Sequence, residues 1–371
     1  MPLLLFGLFA AILLGIAVCH QRALPIAVTG MLAVLAVRLF GTDFSLLGHL
    51  HHEWQGLLNL GGLLLGFALL ADHFEHSRLP AKLTAILPGG ALGAFLLLAI
   101  VCALSAVLDN IAAAMIGGTA ARVLFAGKVH IGYLAAIVAA SNAGGAGSVV
   151  GDTTTTMIWL GHHSPLEVAE AAIGAAVSLL VFGFFAARQQ VALQPMVAHG
   201  HAVTVDWLQL LIVALILISA VAANLLFGFP AAGVWVAILL GSLLRRPTWR
   251  LLPAAAKGTA FLLSLVLCAS MMPVASLPEA SLSTTFGLGV VSAFFDNIPL
   301  TKLALEQGGY DWGFLAYCVG FGGSMLWFGS SAGVALAGMF PQARSAGAWL
   351  KGGWHVALAY VLGFCAMVVL L

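Results

Sequence analysis

Charge is what this sequence lacks. Asp, Glu, Lys and Arg make up 7% of its 371 residues and hydrophobic residues 62%, whereas a soluble domain carries roughly 25% charged residues. Apolar runs of membrane-spanning length recur from end to end, which excludes a soluble protein with one anchor. The formal net charge of +1 leaves neither a basic face for nucleic acid nor an acidic tail. Cysteine is scarce as well. Cys19, Cys102, Cys268, Cys318 and Cys365 lie far apart inside apolar runs, a spacing that fits neither a metal site nor a disulfide framework. The apolar stretch 1–18 has no charged segment before it and no Ala-x-Ala site. It is expected to be a retained first helix rather than a cleaved leader.

Ten apolar segments are expected to cross a bilayer: 2–18, 24–40, 55–72, 131–161, 165–187, 206–226, 231–244, 259–277, 312–339 and 353–371. Two more, 90–125 and 282–307, are each interrupted by Asp-Asn, a pair that is expensive in hydrocarbon and poor in a helix interior. Each reads as two half-helices with the polar pair at the tip, a shape tolerated at membrane depth only where protein or a cavity surrounds it. The expected fold is an all-α polytopic membrane protein with about 10 transmembrane helices and two re-entrant hairpins. It forms a single integral domain, 1–371, with a first inverted repeat over 55–187 and a second over 259–371.

The basic residues orient this scheme. With both termini outside, Arg22, Arg78, Lys82, Arg122, Lys128, Arg188, Arg245, Arg246, Arg250, Lys257, Arg344 and Lys351 fall on the cytoplasmic side, as the positive-inside rule requires. Arg38 and Lys302 are left over, and Lys302 is expected to snorkel from the outer end of the second hairpin. His49, His51 and His52 with Glu53, and separately His162 and His163, are expected in solvated external loops. Asp72, Glu75 and Glu306 are placed near the interfaces.

The two tips are alike. Ser105-Ala-Val-Leu-Asp109-Asn110-Ile111 aligns without gaps to Ser292-Ala-Phe-Phe-Asp296-Asn297-Ile298, with five of seven positions identical. Downstream of each lies a helix broken by glycine. The first break holds Ser141, Asn142, Gly144, Gly145, Ser148 and Asp152; the second holds Gly322, Gly323, Ser324 and Ser330. Glycines this dense cost helix stability, roughly 1 kcal/mol each against Ala. They suit backbone that unwinds and approaches a ligand closely. Paired broken helices and hairpins are a recurring plan of secondary transporters.

Asp109, Asp152 and Asp296 lie at membrane depth, where a carboxylate is a functional candidate by default. Ionised, such an acid binds Na+ or Li+; protonated, it carries the proton that replaces the metal. Oxygens from Asn110, Asn142, Asn297, Ser148, Thr153, Ser324 and Ser330 suit a hard cation. Within Thr153 to Thr156, some hydroxyls are expected to hold the restarting helix and others, with Thr154 a candidate, to reach the ligand.

The run Ser141-Asn-Ala-Gly-Gly, continued by Gly151-Asp-Thr-Thr-Thr-Thr-Met-Ile-Trp159, resembles the first-half motif of NhaD-type sodium/proton antiporters. The segments 292–300, 314–324, 328–334 and 349–351 resemble that family's second half. The wider ion-transporter superfamily includes citrate, dicarboxylate and arsenite carriers, so an anion permease is the alternative. The resemblance implies two inverted repeats, a possible homodimer, and cation binding at Asp109, Asn110, Asp152, Asp296 and Asn297. It implies transport across a bacterial inner membrane of an inorganic cation and a proton, with no cofactor and no enzymatic reaction. Trp327-Phe328 stand where smaller or more polar residues are expected. The dicarboxylate branch carries Ser-Asn-Thr at its tips; Asp-Asn here points to a cation. An intramembrane aspartyl protease is disfavoured, because 149–152 lacks the first Gly of Gly-x-Gly-Asp.

Overall fold

The computed structural model describes residues 1–19, 22–42, 44–79, 82, 87–197 and 204–371. Of the stretch 80–86, inside the expected first repeat, only Lys82 is described, so the rest of that stretch lies outside the described residues. Among the described residues there are helices and no strand. In chain order these are α1 (Pro2–Val18), α2 (Ala23–Gly41), α3 (Leu46–His76), α4 (Gly90–Ser105), α5 (Asn110–Leu124) and α6 (Ile131–Ala146). Then follow α7 (Thr153–Leu160), α8 (Pro165–Ala169), α9 (Ala171–Leu193), α10 (Trp207–Phe227), α11 (Pro230–Gly241) and α12 (Leu252–Ser270). The last are α13 (Leu282–Ser292), α14 (Asn297–Gln307), α15 (Trp312–Gly322), α16 (Ser331–Met339), α17 (Ala346–Gly352) and α18 (Trp354–Leu370).

This is a multi-pass membrane architecture. Among the described residues, five stretches are long and apolar enough to cross a bilayer: α2, α3, α8 with α9, α10, and α12 with the turn before it. The pair α17 and α18, bent by 61°, adds a sixth if taken as one span. Six further apolar helices have 10–17 residues, short of the roughly 20 a straight crossing takes.

The chain packs as two units. The first comprises Met1–Leu79, Val205–Leu277 and Lys302–Gln307, the second Pro80–Thr204, Pro278–Thr301 and Gly308–Leu371.

In the first unit α3 presents glycines to α11. A Cβ on Gly66 would sit 2.4 Å from Val234 Cγ1, and one on Gly62 2.8 Å from Ala231 Cβ. Such small-residue faces let helices approach closely where lipid supplies no hydrophobic drive. Buried Asn59 fastens the same seam: its Nδ2 donates to Gly228 O and its Oδ1 accepts from Ala231 N, each at 3.3 Å. Gly228 ends α10 at φ 62°, a left-handed cap that glycine adopts without strain.

Three sequence expectations are corrected in this unit. First, α3 begins at Leu46, where Ser45 Oγ accepts from Gly48 N at 3.2 Å. His49, His51, His52 and Glu53 therefore lie on its first turns and not in a loop, and His49 Nε2 reaches Ser270 Oγ at 2.9 Å. Second, Lys302 does not snorkel. Its Nζ is 2.8 Å from Glu53 Oε2 and 2.6 Å from Glu306 Oε1, and the side chain is 13% exposed. Two carboxylates on one ammonium meet its needs without water, and their own partner spares them an unpaired buried charge. Asp72 is likewise buried, its Oδ2 accepting from Thr248 N at 2.8 Å. Third, the helix expected over 259–277 runs Leu252–Ser270: a proline sits at its first turn, and Pro273 bars continuation.

Lys302→Met is expected to lower stability by about 2 kcal/mol, under the 3–5 kcal/mol typical of a fully buried pair because Glu306 keeps some solvent. The apparent melting temperature in detergent, read by size-exclusion fluorescence, checks this. An unchanged value would show that the ion pairs are worth nothing net.

In the second unit the first interrupted stretch is a hairpin as expected. A Cβ on Gly117 of α5 would lie 2.5 Å from Val101 Cγ2 of α4, so the two helices run side by side. The second stretch breaks in the same place, with α13 ending at Ser292 and α14 starting at Asn297. The long runs 131–161 and 312–339 are also broken, over 147–152 between α6 and α7 and over 323–330 between α15 and α16.

The same contacts occur in both halves. Ser105 Oγ donates to Ser141 O at 2.5 Å, and Ser292 Oγ to Val319 O at 2.8 Å. A Cβ on Gly144 would stand 1.9 Å from Cys102 O, and one on Gly322 2.1 Å from Gly289 O. A Cβ on Gly145 would meet Gly151 O at 2.8 Å, and one on Gly323 would meet Gly329 O at 2.7 Å. At Gly144 and Gly322 the interrupted stretch touches the broken helix backbone to backbone, and at Gly145 and Gly323 the broken helix meets its own break; no larger residue fits at these positions.

Candidate functional site

The site lies in the second unit, where both hairpin tips meet the break after α6. Asp152 precedes α7 with extended backbone, φ −146° and ψ 148°, the geometry of an N-cap. An aspartate there ordinarily accepts from the first free N–H groups of its helix. This one makes no cap bond to the second or third N–H, and its carboxylate meets only the Thr153 N–H at the head of the helix. The turn is held by threonine hydroxyls instead. Thr155 Oγ1 donates to Ser148 O at 2.6 Å and Asp152 O at 2.8 Å; Thr156 Oγ1 donates to Val149 O and Asp152 O, both at 2.9 Å. The carboxylate is left for other partners.

Those partners are the tip asparagines. Asn110 Nδ2 donates to Asp152 Oδ1 at 3.1 Å, and Asn297 Nδ2 lies 3.4 Å from Oδ1 and 3.2 Å from Oδ2. Asn110 Nδ2 also reaches Asn142 Oδ1 at 3.0 Å, and Asn142 Nδ2 donates to Ser324 Oγ at 2.9 Å. Trp349 Nε1 in turn donates to Ser324 O at 3.3 Å. Asp152 is 3% exposed, and Asn110, Asn142, Asn297 and Ser324 are all buried. Buried polar groups persist when hydrogen-bonded, and here five of them satisfy one another. Thr154 is fully buried beside the Asp152 carboxylate, its hydroxyl making no hydrogen bond of ordinary geometry among the described residues.

The second half is built differently at the matching places. Ser330, the cap of α16, does cap, accepting from Gly333 N at 3.3 Å. Gly320 stands where the first half has Asn142, and a Cβ on it would be 3.4 Å from Asp152 Oδ2. One half supplies the acid and the other leaves it room.

Asp109 and Asp296 flank this centre and interact with the Asp152 charge electrostatically. Both are partly exposed. Asp296 caps α14, its Oδ1 accepting from Ile298 N at 3.1 Å and its Oδ2 from Ser331 Oγ at 3.0 Å. Asp109 sits at the N-cap of α5, its carboxylate facing the backbone N–H groups of Asn110, Ile111 and Ala112. Ser141, Gly144, Gly145, Gly322 and Gly323 shape the backbone. Ser148 Oγ accepts from Val150 N at 3.4 Å, and Thr153 opens α7. Trp327 and Phe328 pack edge to face, 5.4 Å between centroids, with the Trp327 carbonyl against Gly333.

Sequence reasoning missed Ser331, and it missed the two tip serines, Ser105 and Ser292, as clasps. The tip serines were legible: both stand at the head of the repeated motif. Chemically, the centre is one carboxylate amid amides and hydroxyls, with no Lys, Arg or His hydrogen-bonded to it among the described residues. Such an oxygen-rich, net anionic set suits a hard cation.

No family model matches the chain. It is 29% identical to sodium/proton antiporter 1 of Arabidopsis thaliana over 293 residues, covering 64% of this chain and 48% of that protein. It is 28% identical to sodium/proton antiporter 2 of the same plant over 291 residues, 64% of this chain and 67% of that protein. The match thus spans about half the length of the first relative. By sequence, then, this multi-pass helical protein is similar over nearly two thirds of its length to proteins named for exchanging sodium and protons.

Proposed function

We propose that the protein is a secondary active transporter that exchanges Na+ or Li+ for protons, as the NhaD-type resemblance implies. The reading is carried by one observation: a buried carboxylate, Asp152, on which the amides of both hairpin tips converge. A lone buried acid must be compensated or protonated. Bound cation and bound proton are two ways of meeting that demand, so competition for Asp152 gives exchange without a separate device. The contacts shared by the two halves support a pair of repeats, and the two names among its relatives support the ions. Residence in a bacterial inner membrane and assembly as a homodimer belong to the same proposal.

The test uses everted vesicles holding a preset pH gradient. Adding Na+ or Li+ is expected to collapse it, while K+ or choline does not. Citrate uptake with no cation-driven proton movement would sink the reading in favour of an anion permease. Competition adds a pH dependence: as pH falls, protons occupy more of the site, so the Na+ concentration for half-maximal response rises. A half-maximal concentration independent of pH would rule out a shared site.

A further inference from the structure

We propose that the side-chain amides of Asn110 and Asn297 turn over when a cation binds, replacing their N–H edges by their carbonyl oxygens at Asp152. The proposal rests on the cation-exchange reading above and adds how the site changes between its two partners.

The geometry favours such a change. An ionised carboxylate only accepts hydrogen bonds, so the amide edges facing Asp152 at 3.1–3.4 Å are N–H edges. Their partial positive charge neutralises the acid, and Asn297 Nδ2 bridges both of its oxygens. A hard cation takes oxygen ligands, and two amide N–H edges aimed at the carboxylate present positive partial charge to it where carbonyl oxygens would present ligands. Rotation about the last side-chain bond of asparagine is soft and roughly two-fold, so half a turn substitutes oxygen for N–H at little change in shape.

The surroundings fit the turned state as well. When Asn110 turns, it releases Asn142 Oδ1, which now accepts from it at 3.0 Å. Asn142 itself stays in place, because its Nδ2 is tied to Ser324 Oγ. The fully buried Thr154 hydroxyl, beside the carboxylate and outside any ordinary hydrogen bond, is a further oxygen. Asp152, Asn110, Asn142, Asn297 and Thr154 then offer only oxygens, a set for a small monovalent cation. The two tips thus act as substitutes for the ion.

The sequence holds just five asparagines, Asn59, Asn110, Asn142, Asn224 and Asn297, so asparagine-selective 15N labelling of the detergent-purified protein gives few side-chain NH2 signals. Asn110→Ala and Asn297→Ala assign theirs. With choline chloride, one proton of each is expected downfield, as for an N–H bonded to a carboxylate. Titration with NaCl at constant ionic strength should move both upfield, saturating together with 22Na+ binding measured on the same sample, while Asn59 and Asn224 stay put. Downfield signals that persist while 22Na+ saturates the protein would overturn the turnover and leave the exchange reading standing. Absence of 22Na+ binding would overturn both. Asn297→Leu, which can offer neither edge, is expected to weaken 22Na+ binding at least tenfold; unchanged binding would likewise overturn the proposal.

Discussion

Asp152→Asn is expected to abolish Na+- and Li+-driven proton movement in everted vesicles while leaving the protein folded. Asparagine fills the same volume, but it removes the charge that a cation must meet and the group that holds the proton. Losing one charge-assisted ligand is worth about 3 kcal/mol, or about a hundredfold in affinity. Loss of the titrating group removes exchange altogether. The same change at Asp109 or Asp296 is expected to cost less. Asp296 is engaged as the cap of α14, with Ile298 N and Ser331 Oγ as partners, and Asp109 faces the backbone N–H groups that open α5; neither acid accepts from a side-chain amide of the centre. Comparing the three variants at one protein level ranks the acids. Full activity in Asp152→Asn would move the site elsewhere; equal loss in all three would mean that the acids act as one group.

The second large effect falls on folding. Gly144→Val and Gly322→Val should each prevent recovery of monodisperse protein from detergent. A Cβ at these positions would lie 1.9 Å from Cys102 O and 2.1 Å from Gly289 O. These obstacles are backbone oxygens, which cannot rotate aside as a side chain can. Relief requires moving a whole hairpin helix off its broken partner, more than the about 3 kcal/mol that ordinary overpacking costs. Gly7→Ala is the control, since nothing lies within 4 Å of its Cβ position. A well-behaved Gly144→Val protein would show that the hairpin does not press on α6 in this way.

The parts of this fold governed by local chemistry were readable from the chain. Asp-Asn inside an apolar run cannot continue a helix cheaply, so both helix breaks at Asp-Asn and both glycine breaks could be placed by inspection. Which acid the tip amides converge on could not. The tips look alike in sequence, which draws attention to Asp109 and Asp296, whereas the centre is Asp152, whose two amide partners come from 42 and 145 residues away. Polar residues at the head of α3 failed for the same reason. Glu53 reads as a loop residue until its partner, Lys302, arrives from 249 residues further along. Pairing across such distances leaves no periodic trace, and it reverses the usual inference from charge to exposure.

The threonines after Asp152 bear on how often the site can work. Because the hydroxyls of Thr155 and Thr156 close the turn through the carbonyls of Ser148, Val149 and Asp152, the start of α7 is held mainly by atoms other than the Asp152 carboxylate. The fastening of the helix and the reactive end of the residue are divided between different atoms. An acid that also served as the cap would loosen its own helix each time it changed partner. On the exchange proposed above, the acid would be loaded and emptied on a support fastened mainly by other atoms.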